Sequence, residues 1–170
     1  MIEADVAALA PPLAVSQWMN SDQPITLDSL RGRVVLIHAF QMLCPACVMQ
    51  ATPQAVRIWQ HYRQQEYDSN VVVIGLHTVF EHHDVMTPAA LQVYLHEFRV
   101  PFPVGVDRAG RNGPIPQTMH AYNMQGTPTN LLIDAAGNLR KHHFGIEPDQ
   151  RLVADVDRLI NERTAHMSSA

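Results

Sequence analysis

Cys44 and Cys47 are the only cysteines in the 170 residues, and they stand three apart as Cys44-Pro45-Ala46-Cys47. A thiol at the start of a helix faces unpaired backbone N–H groups and the positive end of the helix dipole, which favour its thiolate. A second thiol one turn further in is close enough to close a disulfide. Such a pair can attack a substrate disulfide through Cys44 and release it through Cys47. Pro45 suits the first helical turn, where its missing N–H has no partner to lose. The plainer alternatives are half of a zinc site or an unused surface pair. A structural zinc site draws on two spaced ligand pairs, and neither a second Cys pair nor a convincing nearby His pair exists.

A second group of residues sharpens the first. Gly126-Thr127-Pro128-Thr129 runs directly into the apolar Leu131-Leu132-Ile133. Proline is tolerated at the first residue of a strand, and an X–Pro bond in so tight an approach is a candidate cis peptide. The ten histidines contribute less. His77, His82 and His83 share a segment with Glu81 and Asp84, and His142-His143 stand together downstream. Such residues can bind metal, but histidine-bearing surface loops without metal are commoner, and no metal is assigned. The 77–86 loop reads as a rim that selects partners.

The elements that must position these residues alternate in type. Leu13–Trp18 and Pro24–Leu27 read as short strands joined by the turn Asn20-Ser21-Asp22, an N-terminal β-hairpin. Val34–Phe40 is an apolar run expected as a buried central strand ending just before the cysteines. Val48–Gln65 carries Val48, Ala51, Ala55, Ile58, Trp59 and Tyr62 at helical steps, with a kink at Pro53. Val71–Leu76 is a second buried strand. Thr87-Pro88 offers an N-cap and a first-turn proline for a helix through about Phe98. A strand over Phe102–Val106 and a short helix over Gln117–Tyr122 follow. Two strands, Thr129–Asp134 and Leu139–Phe144, form a hairpin, and an amphipathic helix from Pro148 to about Glu162 closes the chain. Strands alternating with helices predict an α/β fold, a central mixed sheet covered by helices on both faces.

Composition bounds the possibilities. A chain of this length without repeats predicts a single domain over 1–170, with its core at about 12–162 and flexible termini. The 46% hydrophobic content fits a globular core. Two cysteines exclude a disulfide-stapled secreted scaffold. A net charge of −4 points to neither nucleic acid nor an anionic membrane. Eleven of the twelve basic residues are Arg, and they form no cluster. The opening Met1-Ile2-Glu3-Ala4-Asp5 is acidic where a signal peptide needs basic residues, and Pro11-Pro12 cut short the apolar run behind it. The expectation is a cytoplasmic protein.

From about Pro12 to Ile160 the chain resembles the thioredoxin-like thiol–disulfide oxidoreductases of the redoxin or TlpA/ResA-like branch. The resemblance lies in Leu27-x-x-Leu30-x-Gly32-x-Val34-Val35, in Cys44-Pro45-Ala46-Cys47, in Gly126-Thr127-Pro128-Thr129, and in Ile133-Asp134 with Gly137 and Gly145. It implies a three-layer thioredoxin-like fold in which Val71–Phe98 supplies an extra strand–helix unit. It also implies Cys44 as nucleophile, Cys47 as resolving cysteine, a Cys44–Cys47 redox disulfide, a cis Pro128 beside the cysteines, and Thr127 in contact with substrate. The partners implied are a disulfide-containing protein and a thiol electron donor, with no cofactor.

The departures are informative. Leu43 replaces the aromatic usual before the first cysteine. Pro53 falls one residue late, which implies a local insertion after the motif. His38 occupies the position of the buried Asp of thioredoxins, and Gln50 that of a Glu common in the branch. His38, or a water near it, is therefore a candidate proton acceptor for Cys47; the alternative is a buried neutral histidine. A peroxiredoxin-like peroxidase is a rival, but Ile37 and Gln41 replace the Pro and Thr of that family's reactive motif. A non-catalytic redox sensor or a Sco-like copper carrier is another, although the latter spaces its cysteines one residue wider.

Overall fold

The computed structural model describes residues 8–64 and 70–169. Its single sheet has six strands in the order β1-β4-β3-β2-β5-β6. The strands are β1 (Val15–Met19), β2 (Val34–Phe40), β3 (Val71–His77), β4 (Val104–Asp107), β5 (Thr129–Ile133) and β6 (Leu139–Phe144). β2 lies parallel to β3 and antiparallel to β5, and all seven of its residues are buried. That position explains why its sequence is a continuous apolar run rather than an alternation.

Helices α1 (Thr52–Arg63), α2 (Pro88–Glu97), α3 (Gln117–Ala121) and α4 (Asp149–Ser168) cover the sheet. The period of two along β2 divides the core. Val34, Leu36 and Phe40 pack with Ile58 and Tyr62 of α1, Leu91 of α2, and Leu152 and Val156 of α4. Val35, Ile37 and Ala39 face the other way, toward Leu30, Met119 and Tyr122. The same alternation turns His38 to the side of α1. α2 begins as its sequence predicts, with Thr87 Oγ1 accepting from the Ala90 N–H at 3.2 Å. Among the described residues no helix is long and apolar enough to cross a membrane.

The N-terminal hairpin does not form. β1 instead pairs antiparallel with β4, and Pro24–Leu27 makes no strand. Asn20, at φ 56°, ends β1, and its side-chain amide donates to the carbonyls of Val100 at 2.8 Å and Phe102 at 3.2 Å. That ties the end of β1 to the approach of β4. Ile25 and Leu27 are drawn into the core beside Leu30 rather than into a ladder, and Pro24 has no N–H to give one.

Two further boundaries shift. The helix after the cysteines opens with a π-helical turn, Cys47–Ala51, which passes directly into α1. A π turn is a one-residue insertion into a helix, and it accounts for the late Pro53, which falls in the first turn of α1. α4 runs on to Ser168, beyond the end expected at about Glu162. The expected flexible N-terminus before residue 8, and the end of the first predicted helix at Gln65, lie outside the described residues.

Candidate active site

β2 delivers the chain to the cysteines through a tight turn, with the Cys44 N–H donating to the Gln41 carbonyl at 3.1 Å. Two buried side chains pin that turn. His77 at the end of β3 accepts the Met42 N–H on Nε2 at 3.1 Å. Gln41 accepts the Phe80 N–H at 3.2 Å and donates to Glu81 at 3.3 Å and to the Thr127 hydroxyl at 3.5 Å. The short sequence between β2 and Cys44 is thereby fastened to the rim loop and to the Thr127 segment.

The two sulfurs occupy different environments. Cys44 is partly exposed, flanked by exposed Leu43 and Pro45, whereas Cys47 is fully buried. Both are free thiols. Ala46 leads into the π turn, which aims the Cys47 N–H at Cys44 Sγ at 3.3 Å. Cys44 Sγ also lies 3.6 Å from the Thr127 carbonyl, to which its thiol donates. The Thr127–Pro128 peptide bond is cis, and Pro128 is buried behind Thr127. Burial pushes the Cys47 thiol up to about 12, an effect strengthened by its neighbour Cys44. One sulfur is thus accessible and the other is kept protonated.

His38 is fully buried, stacked on Phe40, with Nε2 at 2.9 Å from the Thr52 hydroxyl. Burial pulls it down to about 4, against a smaller opposing pull from Asn130 across the strand pair. It is therefore neutral near pH 7, and its Nε2 meets Thr52 rather than either thiol. Gln50 is exposed.

The histidine segment does not converge on one point. His77 is buried at the site, whereas His82 and His83 are exposed, and His83 bonds the Pro114 carbonyl at 3.1 Å. Among the described residues no three His, Cys, Asp or Glu side chains could hold a metal ion together. Sequence reasoning missed Gln41, Thr52 and His77 as parts of the site. Gln41 was legible as a polar residue three positions ahead of the first cysteine, and Thr52 as a polar residue on an otherwise apolar helix stripe.

No family model matches the sequence. A crystal structure of a thioredoxin-like superfamily protein is 52% identical, with a TM-score of 0.84, over 91% of this chain and 97% of its own. A thiol-disulfide isomerase from Corynebacterium glutamicum is 44% identical, with a TM-score of 0.83, over 92% of this chain and 97% of its own. The DipZ proteins of Mycobacterium bovis and Mycobacterium tuberculosis are 32% identical over 157 residues. That match takes in 90% of this chain but spans only 21% of those relatives. Coverage and identity of this order, on a sheet that sets two thiols beside a cis-proline, show that the chain belongs to the thioredoxin-like superfamily, among its thiol–disulfide oxidoreductases.

Proposed function

We propose that the protein reduces or exchanges disulfides of protein substrates through Cys44 and Cys47, drawing electrons from a thiol donor. The Cys44 thiolate attacks one sulfur of a substrate disulfide, and the other substrate sulfur leaves as a thiolate that takes up a proton. Cys47 then attacks Cys44, the second substrate sulfur departs as a thiol, and the Cys44–Cys47 disulfide remains. Two electrons have passed to the substrate, and a thiol donor returns them by the reverse exchange.

The observation that carries this reading is the contrast between the sulfurs. Cys44 is reachable and receives the Cys47 N–H, while Cys47 is buried and protonated. This order lets an incoming disulfide meet Cys44 first. Thr127, whose carbonyl faces Cys44 Sγ, lines the approach to that sulfur.

The test is trapping. Cys47→Ser should accumulate a mixed disulfide on Cys44 with a disulfide-bonded protein, and Cys44→Ser should abolish both the adduct and turnover. Peroxide consumption with the same dithiol donor, in place of disulfide reduction, would overturn the reading in favour of a peroxidase.

A further inference from the structure

Among the described residues, two buried side-chain polar atoms have no hydrogen-bond partner: His38 Nδ1 and the Tyr94 hydroxyl. Native structures rarely leave such groups unpaired, because desolvation without a bond is costly. Both belong to one neighbourhood. His38 bonds Thr52 directly, and Thr52 and Tyr94 line the same small cavity with Val48, Val56 and Phe98. Tyr94 also packs into the core cluster that holds Phe40 and Cys47, with Cys44 against it.

Packing fixes the ring while leaving the hydroxyl uncommitted. The Tyr94 ring stacks on Phe98, with centroids 4.5 Å apart, and leans on Phe40 at 6.2 Å. The helix beneath it is capped by Thr87. A phenylalanine would satisfy every one of these contacts. The hydroxyl instead faces Thr52 without meeting full hydrogen-bond geometry: burial raises its pKa, hydrogen bonding with Thr52 opposes that, and negative charge on Cys47 or Cys44 adds to the rise.

A donor of this kind suits a charge that is absent at rest and forms during reaction. Cys47 must supply that charge, because its buried thiol has to ionise to attack Cys44.

We propose that the Tyr94 hydroxyl stabilises Cys47 in the second half of the reaction, donating a hydrogen bond to its sulfur as the thiolate forms, with Thr52 and His38 as positioning residues behind it. The inference rests on the reading of Cys44 and Cys47 given above. In this step Cys47 loses its proton and its sulfur bonds to Cys44 Sγ. The bond between Cys44 and the substrate sulfur breaks, and its electron pair leaves with the substrate. The departing sulfur takes up one proton, so the overall change is a mixed disulfide and a thiol becoming an internal disulfide and a thiol. Tyr94 ends the step with the proton it began with.

The two halves separate in a stopped-flow reaction of the reduced protein with dithiobis(nitrobenzoate). Attack by Cys44 releases one coloured thiolate, and closure by Cys47 releases the second. Tyr94→Phe should leave the first phase within about twofold, slow the second about tenfold, as loss of a hydrogen bond to a charged group would, and move the pH midpoint of the second phase upward. Thr52→Ser should retain the wild-type second phase, and Thr52→Val should slow it. A Tyr94→Phe second phase at the wild-type rate, or two phases slowed equally, overturns the role of Tyr94 and leaves Cys44 and Cys47 as assigned. Absence of any second phase in the unmutated protein overturns the assignment of Cys47, and this inference with it.

Discussion

Two buried polar clusters adjoin at Asn130, which pairs across the sheet with His38, and they are finished differently. Around Glu147 every group is answered. Its side chain is 1% exposed and pairs with Lys141, which also reaches Asp155 at 2.6 Å. Asn130 donates to the Glu147 carboxylate at 3.4 Å, and Gln54 donates to its backbone carbonyl at 2.6 Å. Around the cysteines, by contrast, His38 Nδ1 and the Tyr94 hydroxyl go without partners. A cluster whose charges all find partners holds structure, and removing one member strands the rest. A cluster with spare donors gains nothing for stability at rest, and its polar atoms are explained by what they do when charge moves.

The largest effect should come from breaking the first cluster. Glu147→Leu leaves Lys141 buried with only part of its pairing, and unfolding in urea should show a loss of about 3–5 kcal/mol. Alkylation of Cys44 in the folded variant should proceed at the wild-type rate. A stability loss below about 1 kcal/mol would show that the satisfied cluster contributes no more than an exposed ion pair.

The next effect is on pH. His38 and His77 are both held neutral, each lowered to about 4 by burial. The unfolded chain therefore binds more protons than the folded one below the ordinary histidine value of roughly 6.5. Stability should be fully present above that pH and fall as the pH drops toward 4, by about 1.4 kcal/mol per pH unit for each histidine. His77→Gln, measured by urea unfolding across that range, should flatten the slope by about half. An unchanged slope would mean that the burial of His77 does not govern acid stability.

The smallest stability effect, and the sharpest contrast, falls on the second cluster. Tyr94→Phe should change the unfolding free energy in urea by less than about 1 kcal/mol, since the ring contacts persist and an unpartnered hydroxyl is lost. Its consequences should lie almost entirely in the closing step. Gln41→Leu stands between the two extremes. It severs the rim loop from the Thr127 segment, so the KM for a disulfide-bonded protein should rise severalfold while kcat falls less. A fall in kcat alone would show that Gln41 serves the sulfurs rather than the approach to them.

Much of this was legible along the chain. The apolar Val34–Phe40, the Cys44–Cys47 spacing, the Thr87-Pro88 helix start and the Thr127-Pro128 step each lie within a few residues, and each appears in the fold at its expected place. The late Pro53 marked an insertion whose form, a π turn from Cys47 to Ala51, became visible only in the backbone. The N-terminal hairpin failed for a related reason. A turn between two short segments is a local signal, but β1 found its ladder some ninety residues away, where β4 offered an open edge and the carbonyls of Val100 and Phe102 took the Asn20 amide.

The same division runs through the site. Reactive residue types and their spacing are written in consecutive positions, so Cys44, Cys47 and Pro128 could be named without coordinates. What surrounds them is assembled across the chain: Gln41 reaches Glu81 and Thr127, His77 reaches Met42, and Tyr94 joins the core beside Phe40 from a different helix. Burial is a property of the whole packed core, and it is burial that keeps Cys47 protonated and His38 neutral. Spacing therefore names the thiols, and packing leaves one partly exposed and buries the other.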